Sequence, residues 1–94
     1  MNSGSYIYQK GDLVSIKQDV IMLSCVEDVK VFNTTKKLEN GIFLGVAKED
    51  DSAKEIYEYC IKCTPIRNPC IIAIGGKTFY VDQSNFFFYN RRKK

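Results

Sequence analysis

Residues 70–81 read CIIAIGGKTFYV, two apolar runs of strand length separated by a glycine pair. β-Branched and aromatic side chains suit a pleated backbone, and adjacent glycines supply the positive φ that a two-residue hairpin turn needs. A hairpin constrains everything around it, because two strands cannot bury a core alone and must recruit more strands. The other apolar runs are of the same kind: short, rich in Val, Ile, Tyr and Phe, and bounded by turn residues.

Strands are accordingly predicted over residues 12–16, 20–26, 29–32, 42–48, 55–63, 70–74 and 77–81, with a last aromatic segment at 86–89. The run VIMLSCV at 20–26 is apolar on both alternate faces and belongs inside a barrel, a sandwich or a subunit contact. Asn40-Gly41 predicts a tight turn, and Gly45, inside a strand, predicts a bulge or a close approach by another backbone. Residues 49–54 are too polar to be buried and form a surface loop. Pro65 and Pro69 bracket a turn, and residues 82–85 make another. Only residues 52–57 have a helical composition, too short a stretch to change the class. The expected architecture is all-β: one small β-barrel or β-sandwich, SH3-like or β-tulip in type. It comprises an N-terminal arm at 1–9, a barrel domain at 10–85 and an aromatic, basic C-terminal segment at 86–94.

The 94 residues carry a net charge of +3, yet Arg91, Arg92, Lys93 and Lys94 are the last four. Without them ten basic groups face eleven acidic ones, a net of −1. A nucleic-acid-binding barrel would carry a basic stripe on its folded surface, so nucleic acid is expected to engage the basic tail or nothing. No run approaches a membrane-spanning length, and MNSGSYIYQKGD lacks the apolar core of a signal peptide, which predicts a soluble, non-exported chain with no membrane partner.

Chemistry has few footholds. There is no His, so the commonest general base is absent and a Cys nucleophile lacks its usual imidazole. Cys60 and Cys63 form a CxxC, but Ile61-Lys62 has no turn chemistry, and residues three apart on a strand point to opposite faces. The four cysteines are therefore expected to be reduced and mostly in the core. Glu49, Asp50 and Asp51 cluster without the spacing of a calcium loop. No catalytic residue, metal or cofactor is assigned, and a binding or structural role remains.

Lys10-Gly11-Asp12-Leu13-Val14, then Gly41-Ile-Phe-Leu-Gly-Val-Ala-Lys-Glu-Asp50, then Lys77-Thr-Phe-Tyr-Val-Asp82 form a layout that resembles the small capsid decoration (auxiliary head) proteins of tailed bacteriophages. The resemblance spans about residues 10 to 82. It implies a β-barrel or β-tulip module, often a trimer, that sits on an icosahedral head and clamps major capsid subunits. The localisation it implies is the virion, assembled in the host cytoplasm. KGDLVSI is also similar to the first strand of a KOW-type SH3-like barrel, which implies an RNA or ribonucleoprotein partner, although Lys17-Gln18-Asp19 stands where that motif has a glycine-centred turn. A neck, portal-associated or fibre-anchoring adaptor is a third class. The residues expected to touch a partner are Gly45, Glu49, Asp50 and Asp51, together with Phe86, Phe87, Phe88, Tyr89, Arg91 and Arg92. Three consecutive Phe and a Tyr cannot share one face of a sheet, so either both faces are covered within the domain or some rings reach another subunit, and the four basic residues at the chain end favour reach.

Overall fold

The computed structural model describes residues 8–89. Strands β1 (Leu13–Ile16), β2 (Ile21–Val26), β3 (Val29–Thr34) and β4 (Glu39–Val46) precede a helix, α1 (Lys54–Cys63). Strands β5 (Pro69–Ile74), β6 (Lys77–Asp82) and β7 (Phe86–Phe88) follow it. The seven strands form one sheet in the spatial order β3-β2-β6-β5-β4-β1-β7, every neighbour antiparallel. The all-β class holds, and the sheet is curled but not closed into a barrel.

The curl follows from what the sheet must bury. Val14, Ile16, Met22, Phe43, Cys70, Ile72, Val81 and Phe86 come from six of the seven strands and, with Val20, share one buried cluster on the concave face. A single sheet can bring β1 and β2 into the same cluster only by coiling until its far strands face each other. Tyr8 closes one end of this cluster, with ring centroids 5.4 Å from Phe43, 5.0 Å from Phe86 and 4.5 Å from Phe88. The residue expected in an N-terminal arm thus packs on the core.

Gly41 has no room for a side chain. A Cβ there would lie 2.7 Å from Ile72 Cγ2 and 2.8 Å from the Ala73 carbonyl oxygen. Asn40-Gly41 is not the expected tight turn: both residues lie within β4, opposite Ser15 and Val14. The chain reverses earlier, where buried Thr35 joins two loops. Its hydroxyl donates to the Lys17 carbonyl at 2.7 Å and accepts from the Val20 N–H at 2.9 Å. Gly45 does sit at a β-bulge, where the register against β5 shifts between Phe43 and Gly45. Its φ of +155° suits glycine, but nothing lies within 4 Å of a Cβ built there, so close approach belongs to Gly41 and not to Gly45.

The Gly75-Gly76 hairpin forms as expected, with φ of +57° and +83° and Ile74 opposite Lys77. Residues 55–63, expected as a strand, are helical. Ile56, Tyr59 and Cys60 recur at helical spacing and pack with Leu23, Ile66 and Tyr80 on the convex face. Thr64 stops the helix: its hydroxyl donates to the Cys60 carbonyl at 2.7 Å and accepts from the Ile66 N–H at 2.9 Å, with Pro65 between them. Asp82 anchors the turn on either side of β5 and β6. Its Oδ1 accepts from the N–H groups of Arg67 and Asn68, both at 2.9 Å, and its Oδ2 accepts from the N–H and hydroxyl of Ser84. Burial would raise the pKa of this carboxyl, but the four hydrogen bonds to its ionised form outweigh burial and lower it.

Gly41→Ala is expected to destabilise the fold by roughly 1–3 kcal/mol through overpacking against Ile72 and the Ala73 carbonyl. Gly45→Ala is expected to lose about 1–2 kcal/mol from backbone strain alone. Urea unfolding of both variants measures these losses. Because folding lowers the Asp82 pKa, its contribution is complete at neutral pH and drains away as acid protonates it, below about pH 4. Asp82→Asn is expected to be less stable at pH 7 by about 1–3 kcal/mol. Its stability should also fall less steeply on acidification than that of the natural chain, as thermal unfolding across pH would show.

Candidate protein-contact surfaces

The curl leaves two apolar regions exposed, one at each end of the sheet. At the first end β1 pairs with β4 on one side and β7 on the other, placing Phe87 opposite Ser15 and Leu13 opposite Ile42. Tyr89 continues that pairing, donating its N–H to the Leu13 carbonyl at 3.1 Å. Strand alternation sends Phe86 and Phe88 to the concave side and Phe87 and Tyr89 to the outer one. Phe86 is buried and Phe88 half-buried, whereas Phe87 is 42% exposed, Tyr89 44% and Leu13 49%. These three apolar side chains are therefore neighbours on one outer face.

The second region is the β2–β3 ribbon. Among the described residues strand β3 is terminal in the sheet and contributes no side chain to the buried clusters, and Val31 and Phe32 are exposed. At its tip Val26 and Val29 pair across the turn while 56% and 59% exposed. Between them Glu27 and Asp28 both hold positive φ, +50° and +68°. Two-residue turns of this kind are ordinarily made by Asn and Gly, since a longer side chain is strained there. Phe32 and Lys30 lie against Tyr59 of α1, the rings 6.5 Å apart and the Lys30 ammonium 5.1 Å from the Tyr59 centroid.

Strands β2 and β6 bridge only at Leu23 and Tyr80 and then diverge. A cleft of about 410 Å³ opens between them, lined by Ser24, Cys25, Asn33, Lys77, Thr78 and Phe79 among others. Its polar groups are hydroxyls, an amide, a thiol and an ammonium. That set can hydrogen-bond a ligand but offers no paired acid and base.

The acidic loop is put to internal use. Residues 47–53 form two short 3₁₀ turns, and Asp50 Oδ1 accepts from the Ser52 N–H at 3.0 Å and from its hydroxyl at 2.7 Å. These bonds lower the Asp50 pKa. Glu49 and Asp51 are exposed, and among the described residues no group of three His, Cys, Asp or Glu is placed to hold a metal ion. Gly45, Glu49, Asp50 and Asp51 lie around the β4–α1 connection, while Phe87 and Tyr89 flank β1 on its far side, so the structure does not gather them into one site. Arg91 and Arg92 lie outside the described residues. Leu13 and the ribbon tip are exposed apolar positions beyond those singled out from the sequence, although VEDV, two acids between valines, was the visible signal.

All four described cysteines are free. Cys60 and Cys63 share a helix and not a strand, and what separates them is burial: Cys60 is buried against the sheet and Cys63 is exposed. Burial pushes the Cys60 thiol up to about 11 and the Cys70 thiol up to about 12. Cys25 is exposed beside the cleft, so half of the expected core cysteines are in fact at the surface. Among the described residues no helix is long and apolar enough to cross a membrane. No family model matches the chain, and neither does any curated protein or solved structure.

A thiol reagent near neutral pH is expected to label Cys25 and Cys63 rapidly in the native protein and to reach Cys60 and Cys70 only after denaturation. Peptide mass mapping of native and denatured samples distinguishes the two classes.

Proposed function

We propose that the chain is a non-enzymatic structural protein of a tailed-phage particle, a capsid decoration module that binds the major capsid lattice through the outer face of β1 and β7. The observation that carries the proposal is the juxtaposition of Leu13, Phe87 and Tyr89, exposed side by side on an ordered sheet while Phe86 anchors the same strand in the core. A surface of this kind needs only a complementary apolar partner and no chemistry. Each ring buried against that partner contributes roughly 1.5–3 kcal/mol. Arg91 and Arg92 follow Tyr89 in the chain and supply charge for encounter with an acidic neighbour, a smaller and salt-screened effect.

Shells assembled from a tailed-phage major capsid protein are the probe. Co-sedimentation is expected to be saturable, and Leu13→Ser with Phe87→Ser should weaken it by about tenfold or more while leaving circular dichroism unchanged. Replacing Arg91 and Arg92 by Ala should have a milder effect that disappears at high salt. Unchanged binding by the Leu13, Phe87 double variant would overturn the assignment of this face. Failure to bind shells, combined with tight RNA binding at moderate salt by a chain ending at Asn90, would favour the RNA-binding alternative.

A further inference from the structure

We infer that a second copy of this chain docks on the outer edge of β3, joining two sheets across a two-fold axis at Phe32. The inference rests on the ribbon and is independent of the β1–β7 face.

The backbone sets which groups are available. A two-residue turn makes Val26 and Val29 a hydrogen-bonded pair, and in an antiparallel ladder such pairs alternate. Thr35, of the same parity, donates its N–H to the Val20 carbonyl at 2.9 Å. Odd-numbered residues of β3 therefore bond to β2, and Lys30, Phe32 and Thr34 direct their N–H and C=O groups outward. Among the described residues β3 has no strand on that side. A six-residue edge with exposed Val29, Val31 and Phe32 is a template for another strand.

The charges select the occupant and the register. The acids Glu27 and Asp28 precede β3, and Lys36 and Lys37 lie just past its end, all four exposed. An antiparallel copy centred on Phe32 places Lys30 opposite Thr34 of the second copy. At the strand ends this register sets the Glu27-Asp28 turn of one copy beside the Lys36-Lys37 bend of the other, and the symmetry repeats the meeting. Centring on Lys30 would oppose two like charges. Centring on Thr34 would shorten the overlap and leave the acids without partners. At Phe32 the two phenyl rings meet beside the two Tyr59 rings, extending a contact that each copy already makes.

The strained turn fits this use. Glu27 and Asp28 occupy positive-φ positions where Asn and Gly would be more stable, so the tip retains its carboxylates at a local cost in stability.

Sedimentation equilibrium of the full chain tests the inference with two charge-reversed variants, Glu27→Lys with Asp28→Lys, and Lys36→Glu with Lys37→Glu. The natural chain is expected to form a dimer that weakens with salt. Each variant alone opposes like charges and should self-associate about tenfold or more weakly. An equimolar mixture of the two restores both sets of ion pairs and should form a heterodimer close to the natural affinity. A third variant, Glu27→Asn with Asp28→Gly, should raise the melting temperature measured at a concentration where the chain is monomeric, yet weaken the dimer. A natural chain that stays monomeric at millimolar concentration or forms a trimer would overturn the inference. So would a reversed variant that dimerises normally, or a mixture of folded variants that fails to associate. Shell binding by the β1–β7 face is read separately, so either proposal can fail without the other.

Discussion

The close approach of β4 and β5 at Gly41 is the constraint on which the rest of the structure depends. Among the described residues the sheet is flanked by a single α-helix of ten residues, too small a layer to cover its apolar side, and the sheet covers that side by coiling. Coiling draws β1, β4 and β5 together until a Cβ at position 41 would meet both a side chain and a backbone carbonyl. Removing that one side chain lets Val14, Phe43 and Ile72 meet Met22 and Val81 in a common core. The bulge at Gly45 serves the same geometry, bending β4 at the point where it leaves the sheet for the helical connection.

Where the coil stops, exposed apolar surface begins. Among the described residues the buried clusters take side chains from six strands and none from β3, and α1 covers the convex face around Leu23, Tyr80 and Ile71, touching β3 at its margin through Tyr59. The two sheet ends are therefore left with Val26, Val29, Val31 and Phe32 on one side and Leu13, Phe87 and Tyr89 on the other. The two regions lie at the two ends of the strand order. The polar residues with the most hydrogen bonds hold loops in place: Thr35 joins two connections, Asp82 gathers donors from both sides of the β5–β6 hairpin, and Asp50 caps a turn.

What was legible in the chain itself was whatever local chemistry decides. Gly75-Gly76 between two β-branched runs dictates a tight hairpin, because positive φ at two consecutive positions is cheap only for glycine. The all-β class, the bulge at Gly45 and the strands at residues 12–16 and 20–26 follow from short-range pattern in the same way. Residues 55–63 show where local pattern is ambiguous: their aromatics suit a strand, and Ile56, Tyr59 and Cys60 equally suit one face of a helix.

Tertiary contact decided the rest. The helix prevailed because Leu23 and Tyr80 offered its apolar face a place to bury, something no window of nine residues reveals. Asn40-Gly41 became strand because Thr35 had already turned the chain, and its glycine answers a neighbour more than thirty residues away in sequence. Phe86 and Phe87 are identical residues, side by side in sequence, with opposite fates. Alternation determines that they part, but only the pairing of β7 with β1 determines which of them enters the core. The sequence therefore settled the kind of surface this chain can make, and tertiary structure settled which residues form it, since burial is a property of neighbours that the chain meets only when folded.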